Sequence, residues 1–490
     1  MRVLMVASEA VPFAKTGGLA DVAGVLPRFL TELGHDVRVI MPRYYGVPRD
    51  GLTPLPHPLG VPMGVLGTQW ARVYEGRLPN TAVPVYFVDH EQYFGRESLY
   101  TDPVTHEGYA DNDNRFIFLS RAAIELTRML HWRPHVFHVN DWHTAATPVF
   151  LNTTYRDEPV ARAATLLTLH NMAHQGVFYP GLMDVLGVGW HHFHAQGLEF
   201  EGQVNLLKGG LYHSTLINAV SPGYAHEIQT PAFGHGLDGV LRDRAADLSG
   251  VLNGIDYREW NPAADPYIAA QYDADELAGK FACKRALQAE MGLPQRDVPV
   301  IGMVSRLVRQ KGIDVVAAML PRLLEMDVQV VILGSGEPWA HTHLPWVASH
   351  HPRRFACRIG YDNALAHRIE AGADLFLMPS RFEPCGLNQL YSLAYGTPPI
   401  VHAVGGLDDT VENFDAAADT GTGFKTWSLD PAALYDTVGW AIYTWYNAPE
   451  AFTRMIRRGM SRRFGWEDSA REYEQLYERA VLRRTGEEPD

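Results

Sequence analysis

Several short connections carry residue types suited to handling a phosphate or a sugar. The first is Lys15-Thr16-Gly17-Gly18-Leu19-Ala20-Asp21-Val22. Two adjacent glycines at a turn into a helix let backbone N–H groups approach an anionic or sugar ligand, and Lys15 adds a compact charge. The spacing is neither the GxGxxG fingerprint nor a P-loop, so a plain turn with a solvated lysine is the alternative. The second connection runs Arg306-Leu307-Val308-Arg309-Gln310-Lys311-Gly312. Arg306 could grip two oxygens of a diphosphate at once, with Lys311 as a mobile point charge, or the cations could simply be exposed.

The third is Pro379-Ser380-Arg381-Phe382-Glu383-Pro384-Cys385-Gly386-Leu387-Asn388. Its turn residues and a following helix start would present N–H groups to an anion. Phosphate would repel Glu383, so a hydroxyl-rich group or a developing cation suits it better. Gly405-Gly406-Leu407 is a further close-approach loop. Asp141-Trp142-His143 and His170-Asn171 offer a carboxylate, an indole and imidazoles. Hydroxyl hydrogen bonds and ring stacking would let such a set read a sugar, although a single histidine is as readily structural.

These residues need a frame that brings strand ends together. Apolar runs rich in β-branched residues occur at Val3–Ala7, Val37–Met41, Val85–Val88, His135–Asn140, Thr165–His170, Leu216–Val220, Val300–Ser305, Val328–Leu333, Leu375–Met378 and Pro399–His402. Without polar alternation they read as strands buried on both faces. Helical periods lie between them, as at Asn114–Leu130 with Phe116, Leu119, Ala123, Leu126 and Leu130 on one face. Such alternation predicts an α/β protein with parallel sheets and right-handed crossovers. In open sheets of this kind ligands bind beyond the carboxyl ends of strands, where the connections above fall.

A polar, proline-containing seam after Asn253–Asp256 divides the strand–helix series. The expected domains are 1–256 and 257–465, with a last helix in 466–490 whose apolar stripe could pack back on the first domain. The chain has 490 residues, with 42 Lys+Arg against 56 Asp+Glu and a formal net charge of −14. That balance argues against nucleic acid as the main partner. Three cysteines without metal-ligand spacing fit a reducing compartment. With no export-like N-terminus and no long apolar run, the expectation is a cytoplasmic protein without a membrane partner.

The ordered set of motifs resembles the bacterial glycogen synthase family, the ADP-glucose-using group that includes plant starch synthases. The set comprises Lys15–Val22, Asp141–His143, His170-Asn171 with Gln175-Gly176, Lys208–Leu211, Ala219–Pro222, Gly236–Gly239, Asn253–Asp256, Val304–Gly312, Glu383–Gln389 and Gly405–Leu407. The fold this implies is GT-B, two Rossmann-like domains facing across a cleft. The implied reaction is retaining transfer of glucose from ADP-glucose to the non-reducing end of an α-1,4-glucan, gated by domain closure.

The resemblance also implies roles. Arg306 and Lys311 would hold the diphosphate with N–H groups of Gly386–Asn388 and Gly405–Leu407, and Cys385 would contribute to the donor side of the cleft. Lys15, Gly18 and Asp21 would lie by the donor. His170, Asn171, Asn253 and Glu383 would meet the glucose, Asp141 and Trp142 would help position donor and acceptor, and Tyr361 would stack on the adenine. Asn388 and Val308 stand where the family has threonine, and Tyr391 where the wider GT-B group has a second glutamate.

No cofactor is expected, and no metal. Asp111-Asn112-Asp113 opens a helix, Asp273-Ala274-Asp275 lies in the seam, and His191, His192 and His194 lack a carboxylate or cysteine partner. The alternatives are a nucleotide-sugar epimerase on the same fold and a non-catalytic glucan-binding protein. An intact set of diphosphate cations speaks against the second.

Overall fold

The computed structural model describes residues 1–105 and 107–488. Residues 489 and 490 of the expected terminal segment lie outside the described residues. The chain divides into two compact units, residues 1–252 with 466–490, and residues 253–465. The division falls earlier than the expected boundary at Asp256. Asn253–Asp256 go with the second unit because the Ile255 N–H donates to the Phe464 carbonyl at 2.8 Å and Ile255 bridges Gly465.

Among the described residues the first unit contains a ten-stranded sheet. Its strands begin with β1 (Arg2–Val6), β2 (Asp36–Pro42), β3 (Thr53–Pro54), β4 (Leu59–Pro62), β5 (Thr68–Arg77), β6 (Pro84–Asp89), β7 (Val136–Asn140) and β8 (Ala164–Leu169). A small antiparallel sheet of β9 (Val177–Phe178), β10 (Glu199–Phe200) and β11 (Gln203–Asn205) intervenes before β12 (Leu216–Ala219) and β13 (Leu248–Gly250). The order is β13-β12-β8-β7-β1-β2-β6-β5-β3, with β4 on β5. From β13 to β6 every pairing is parallel, whereas β5 pairs antiparallel with β3, β4 and β6. That antiparallel edge departs from the expected all-parallel sheet.

The central strands are mostly apolar because helices cover them: Val3, Met5, Val39, Phe137, Val139 and Leu167 are all buried. The last helix, Trp466–Thr485, belongs to this cover. It contacts β8 and the helix Gly18–Glu32. Its Tyr477 hydroxyl lies 2.7 Å from His138 Nδ1, and its Tyr473 hydroxyl accepts from Asn218 Nδ2 at 3.0 Å.

The second unit holds a parallel sheet of β14 (Val300–Val304), β15 (Gln329–Gly334), β16 (Phe355–Ile359), β17 (Leu375–Met378), β18 (Pro399–His402) and β19 (Phe424–Thr426). Its order is β16-β15-β14-β17-β18-β19. Ile301, Ile332, Leu377 and Ile400 of the sheet pack with Val316, Leu320 and Leu344 of the covering helices. A second apolar cluster centres on Trp260, whose ring stacks on Tyr391 at 3.7 Å and on His367 at 3.8 Å. In each unit the direction of travel across the sheet is opposite on the two sides of one pair of neighbouring strands, β1 and β7 in the first and β14 and β17 in the second. Those reversals leave crevices at the strands' carboxyl ends.

Candidate active site

In the first unit the crevice begins with the segment after β1. Glu9 is buried, and its carboxylate accepts from the Thr16 backbone N–H and, at 3.0 Å from each oxygen, the Thr16 hydroxyl. Burial outweighs these bonds and pushes the Glu9 carboxyl up to about 7. The carboxylate thus anchors the glycine turn from below. An added Cβ at Gly17 or Gly18 would meet no atom within 4 Å, so the turn leaves room above itself. Lys15 Nζ pairs with Asp21 Oδ1 at 2.7 Å, and burial raises the Asp21 carboxyl despite that partner.

Asp141 follows β7 directly, with φ +52, a left-handed conformation uncommon outside glycine. That geometry turns its carboxylate toward the end of β8, where Oδ1 accepts from the N–H of His170 at 2.7 Å and of Asn171 at 3.4 Å. Burial still lifts the Asp141 carboxyl to about 7. The His170 ring is held by Asn140, whose amide nitrogen donates to the Val6 carbonyl and so fixes its oxygen toward His170 Nε2 at 2.9 Å. Nε2 then carries the hydrogen, and Nδ1 is a buried acceptor without a partner. Burial drives the imidazole down to about 3, so the ring is neutral.

Trp142 corrects an expectation. Its ring is 8% exposed, packed by Phe116 at 5.1 Å and Phe178 at 5.6 Å. A Cβ on Gly176 would lie 2.3 Å from the indole. The face expected to stack on a sugar is occupied by protein, and Trp142 props the crevice wall.

In the second unit the loops after β14 and β17 are laced together. Arg381 donates to the Arg309 carbonyl at 2.6 Å and grips both Asp314 oxygens at 2.7 and 2.8 Å. At Gly312, with φ +73, a Cβ would fall 2.0 Å from the Pro379 carbonyl oxygen. This close packing creates a cavity of about 190 Å³ lined by Arg306, Lys311, Ser380, Glu383 and the Gly386–Asn388 turn, among others. Lys311 Nζ and Glu383 Oε2 are 2.5 Å apart, and the buried Ser380 hydroxyl donates to the same oxygen at 2.9 Å. Arg306 is exposed and touches Gln310 Oε1 at 3.1 Å.

The surrounding turn changes three expectations. The N–H groups of Gly406 and Leu407 donate to the carbonyls of Glu383 and Val404 at 3.1 and 3.0 Å. They brace the turn, so they are not available to an anion. Cys385 is buried beneath it and takes a hydrogen bond from the Asn253 backbone, with its thiol pushed up to about 12. Its sulfur is an inert packing group. The Asn388 amide donates to the Val304 carbonyl at 2.6 Å, which engages the group that could have replaced the family's threonine hydroxyl.

Asn253 belongs to this unit, with a buried Oδ1 that has no partner. Tyr361 lies past β16, is 86% exposed and lines no part of the cavity. Tyr391, in place of the second glutamate, is spent on the Trp260 stack. Among the described residues no three His, Cys, Asp or Glu side chains gather as a metal site. Residue types alone missed Glu9 and Ser380; their only sequence signal is a position directly after a buried strand.

Comparison with known proteins decides the family. The family model of the starch synthase catalytic domain matches residues 2–243, and that of group 1 glycosyl transferases matches residues 287–457. Glycogen synthase 1 of Geobacter metallireducens and that of Geobacter sulfurreducens are each 60% identical, covering 99% of this chain and 97% of their own. The catalytic domain of starch synthase IV from Arabidopsis thaliana, solved with ADP and acarbose, aligns with a TM-score of 0.89 at 32% identity. That alignment covers 98% of this chain and 99% of the plant domain. The chain belongs to the glycogen and starch synthase family. Its fold is the two-domain α/β fold of these glycosyltransferases, and the epimerase reading is overturned by near-full-length identity to glycogen synthases. The cluster of Arg306, Lys311 and Glu383 lies at a switch point of a parallel sheet, where open α/β sheets bind ligands. No described helix is long and apolar enough to cross a membrane.

Proposed function

We propose that the protein transfers glucose from ADP-glucose to the non-reducing 4-hydroxyl of an α-1,4-glucan, with retention at the anomeric carbon. The observation that carries this reading is the Lys311–Glu383 pair beside Arg306 in the second-unit cavity. Without a ligand, Glu383 supplies the counter-charge of Lys311. An arriving diphosphate takes over Lys311 and, with Arg306, is held by charge-assisted bonds. Glu383 is thereby released toward the sugar, and Ser380 keeps its carboxylate in place. The second unit is the donor side of the reaction. The first is the acceptor side, where Asp141 orients the His170-Asn171 backbone.

In the transfer, the acceptor hydroxyl oxygen bonds to C1 as the bond from C1 to the β-phosphate oxygen breaks. The electron pair leaves on that phosphate oxygen, which takes the hydroxyl proton. Retaining hydrolases place two carboxylates about 5–5.5 Å apart, one as nucleophile. No second carboxylate stands with Glu383 among the residues lining the cavity, so a front-face path through an oxocarbenium-like state is the reading we favour. The His170 carbonyl supplies negative potential to that cation. Lys15, Gly18 and Asp21 contribute from the glycine turn, Asn253 from its unpartnered amide oxygen, and exposed Tyr361 offers a face to adenine. The three cysteines are free, which suits the cytoplasm.

The test is transfer of labelled glucose from ADP-glucose and, separately, UDP-glucose onto glycogen. Incorporation with preference for ADP-glucose is expected. Failure of both donors to lengthen the polymer would overturn the reading.

A further inference from the structure

The helix Pro338–His350 in the second unit takes no part in the cavity and has an unusual surface. It contains no Asp, Glu, Lys or Arg, in a chain of which 20% is charged. Ala340, Leu344 and Val347 form its buried face. Trp339, His343, Trp346 and His350, at spacings of four, three and four, form a row on the outer side. Successive ring centroids lie 6.1, 5.9 and 4.4 Å apart, and the middle pair are within 24° of parallel. Trp346 is 57% exposed and Trp339 38%. Trp339 Nε1 donates to Glu337, and His350 Nδ1 lies 2.8 Å from the Trp346 carbonyl, so both ends of the row are held.

Two indoles exposed together on an uncharged helix form a contiguous apolar patch of the kind that marks a binding surface. The row alternates flat π faces with imidazole hydrogen-bonding edges. An anion would find no cation on this helix, and a peripheral membrane helix would carry lysine or arginine on its polar flank. A neutral polyhydroxyl chain matches both properties, its C–H faces lying on the rings and its hydroxyls meeting the imidazoles. The seven steps from Trp339 to Trp346 span about 10.5 Å at 1.5 Å per residue, long enough for more than one sugar ring.

We propose that this face is a second α-glucan site, distinct from the donor cavity, that tethers the polymer during elongation. The proposal rests on the glucan-elongating reading, and its test separates the two. In native gels containing glycogen, the double variant Trp339→Ala/Trp346→Ala should lose most of the retardation shown by the parent. Its KM for glycogen should rise about tenfold, the loss of roughly 1.4 kcal/mol of binding. Turnover with ADP-glucose and maltotriose, too short to need a tether, should be unchanged. In the unsubstituted protein, maltoheptaose should shield Trp346 from N-bromosuccinimide oxidation, read by peptide mass.

Retardation equal to the parent's, or oxidation of Trp346 unaffected by maltoheptaose, overturns the proposal. So does unchanged glycogen binding with a shift from dimer to monomer in sedimentation, which would assign the face to a second copy of the chain. A parent protein that is retarded by glycogen but transfers no glucose would refute the reading of function while leaving the tether supported.

Discussion

Lys311 and Glu383 hold each other at 2.5 Å, and in the proposed transfer a diphosphate displaces Glu383 from Lys311 as the donor loads. Lys311→Ala should therefore lower kcat by about 10²–10³, the usual cost of one key electrostatic contact. Its circular dichroism should stay that of the parent, and near-parental turnover would remove Lys311 from the machinery. Ser380→Ala tests the support of Glu383. Losing one buried bond to a carboxylate should cost about tenfold in kcat, while the KM for ADP-glucose, set mainly by the cations, changes less than threefold. At this scale, residue type and position after a strand were enough to single out Arg306, Lys311, Glu383, Asp141 and His170 as candidates. Burial is what they could not convey. The same motifs hold Trp142 and Cys385, yet packing occupies the indole face and keeps the thiol protonated.

The loops after β14 and β17 act as one element because glycine lets them touch. Any side chain at Gly312 would need to fit 2.0 Å from the Pro379 carbonyl oxygen while keeping φ at +73. Gly312→Ala should lower the unfolding midpoint and raise the KM for ADP-glucose together, since it drives Lys311 away from Glu383. A thermal melt and donor titration on the same sample would check this, and a KM that holds while stability falls would show the loops to be independent. Parallel strands were legible because burial on both faces leaves them almost wholly apolar. The short edge strands were not. β3 and β4 contain prolines, β16 includes Arg358 and Cys357, and β19 spans three residues with Lys425 at its centre, so neither length nor pattern separates them from loops.

Across the whole molecule, buried titratable groups set how stability follows pH. Glu9 and Asp141 titrate near 7 when folded, above their ordinary 4.5 and 3.8, so the native state keeps protons the unfolded chain releases. Their contribution is complete below about 4 and is lost as pH rises toward 7. His138 and His170 fall from 6.5 to about 3, so the unfolded chain binds protons the native state refuses, and their contribution grows over nearly the same interval. The two effects oppose one another. Asp141→Asn removes one falling contribution, so the gain in urea midpoint from pH 5 to pH 7.5 should exceed the parent's; an equal or smaller gain would contradict the assignment. Tyr477→Phe should cost about 1–3 kcal/mol by leaving buried His138 Nδ1 without a partner, read from the same titrations. The stripe on this last helix was legible as needing a partner, but its match to His138 and Asn218 depends on residues some 250–340 positions away, which local pattern does not encode.

The return of that helix has a consequence for biosynthesis. The polypeptide leaves the first unit at Leu252 and rejoins it only at Trp466, so the second unit is an insertion within the first. During translation the inserted portion emerges entire while its host still lacks the segment that seals β8, and His138 waits uncovered until the helix Trp466–Thr485 has been made. The order of maturation is thus the reverse of the order of numbering. A message truncated just before codon 466 should release a product whose inner portion is protease-resistant while the part made first is digested.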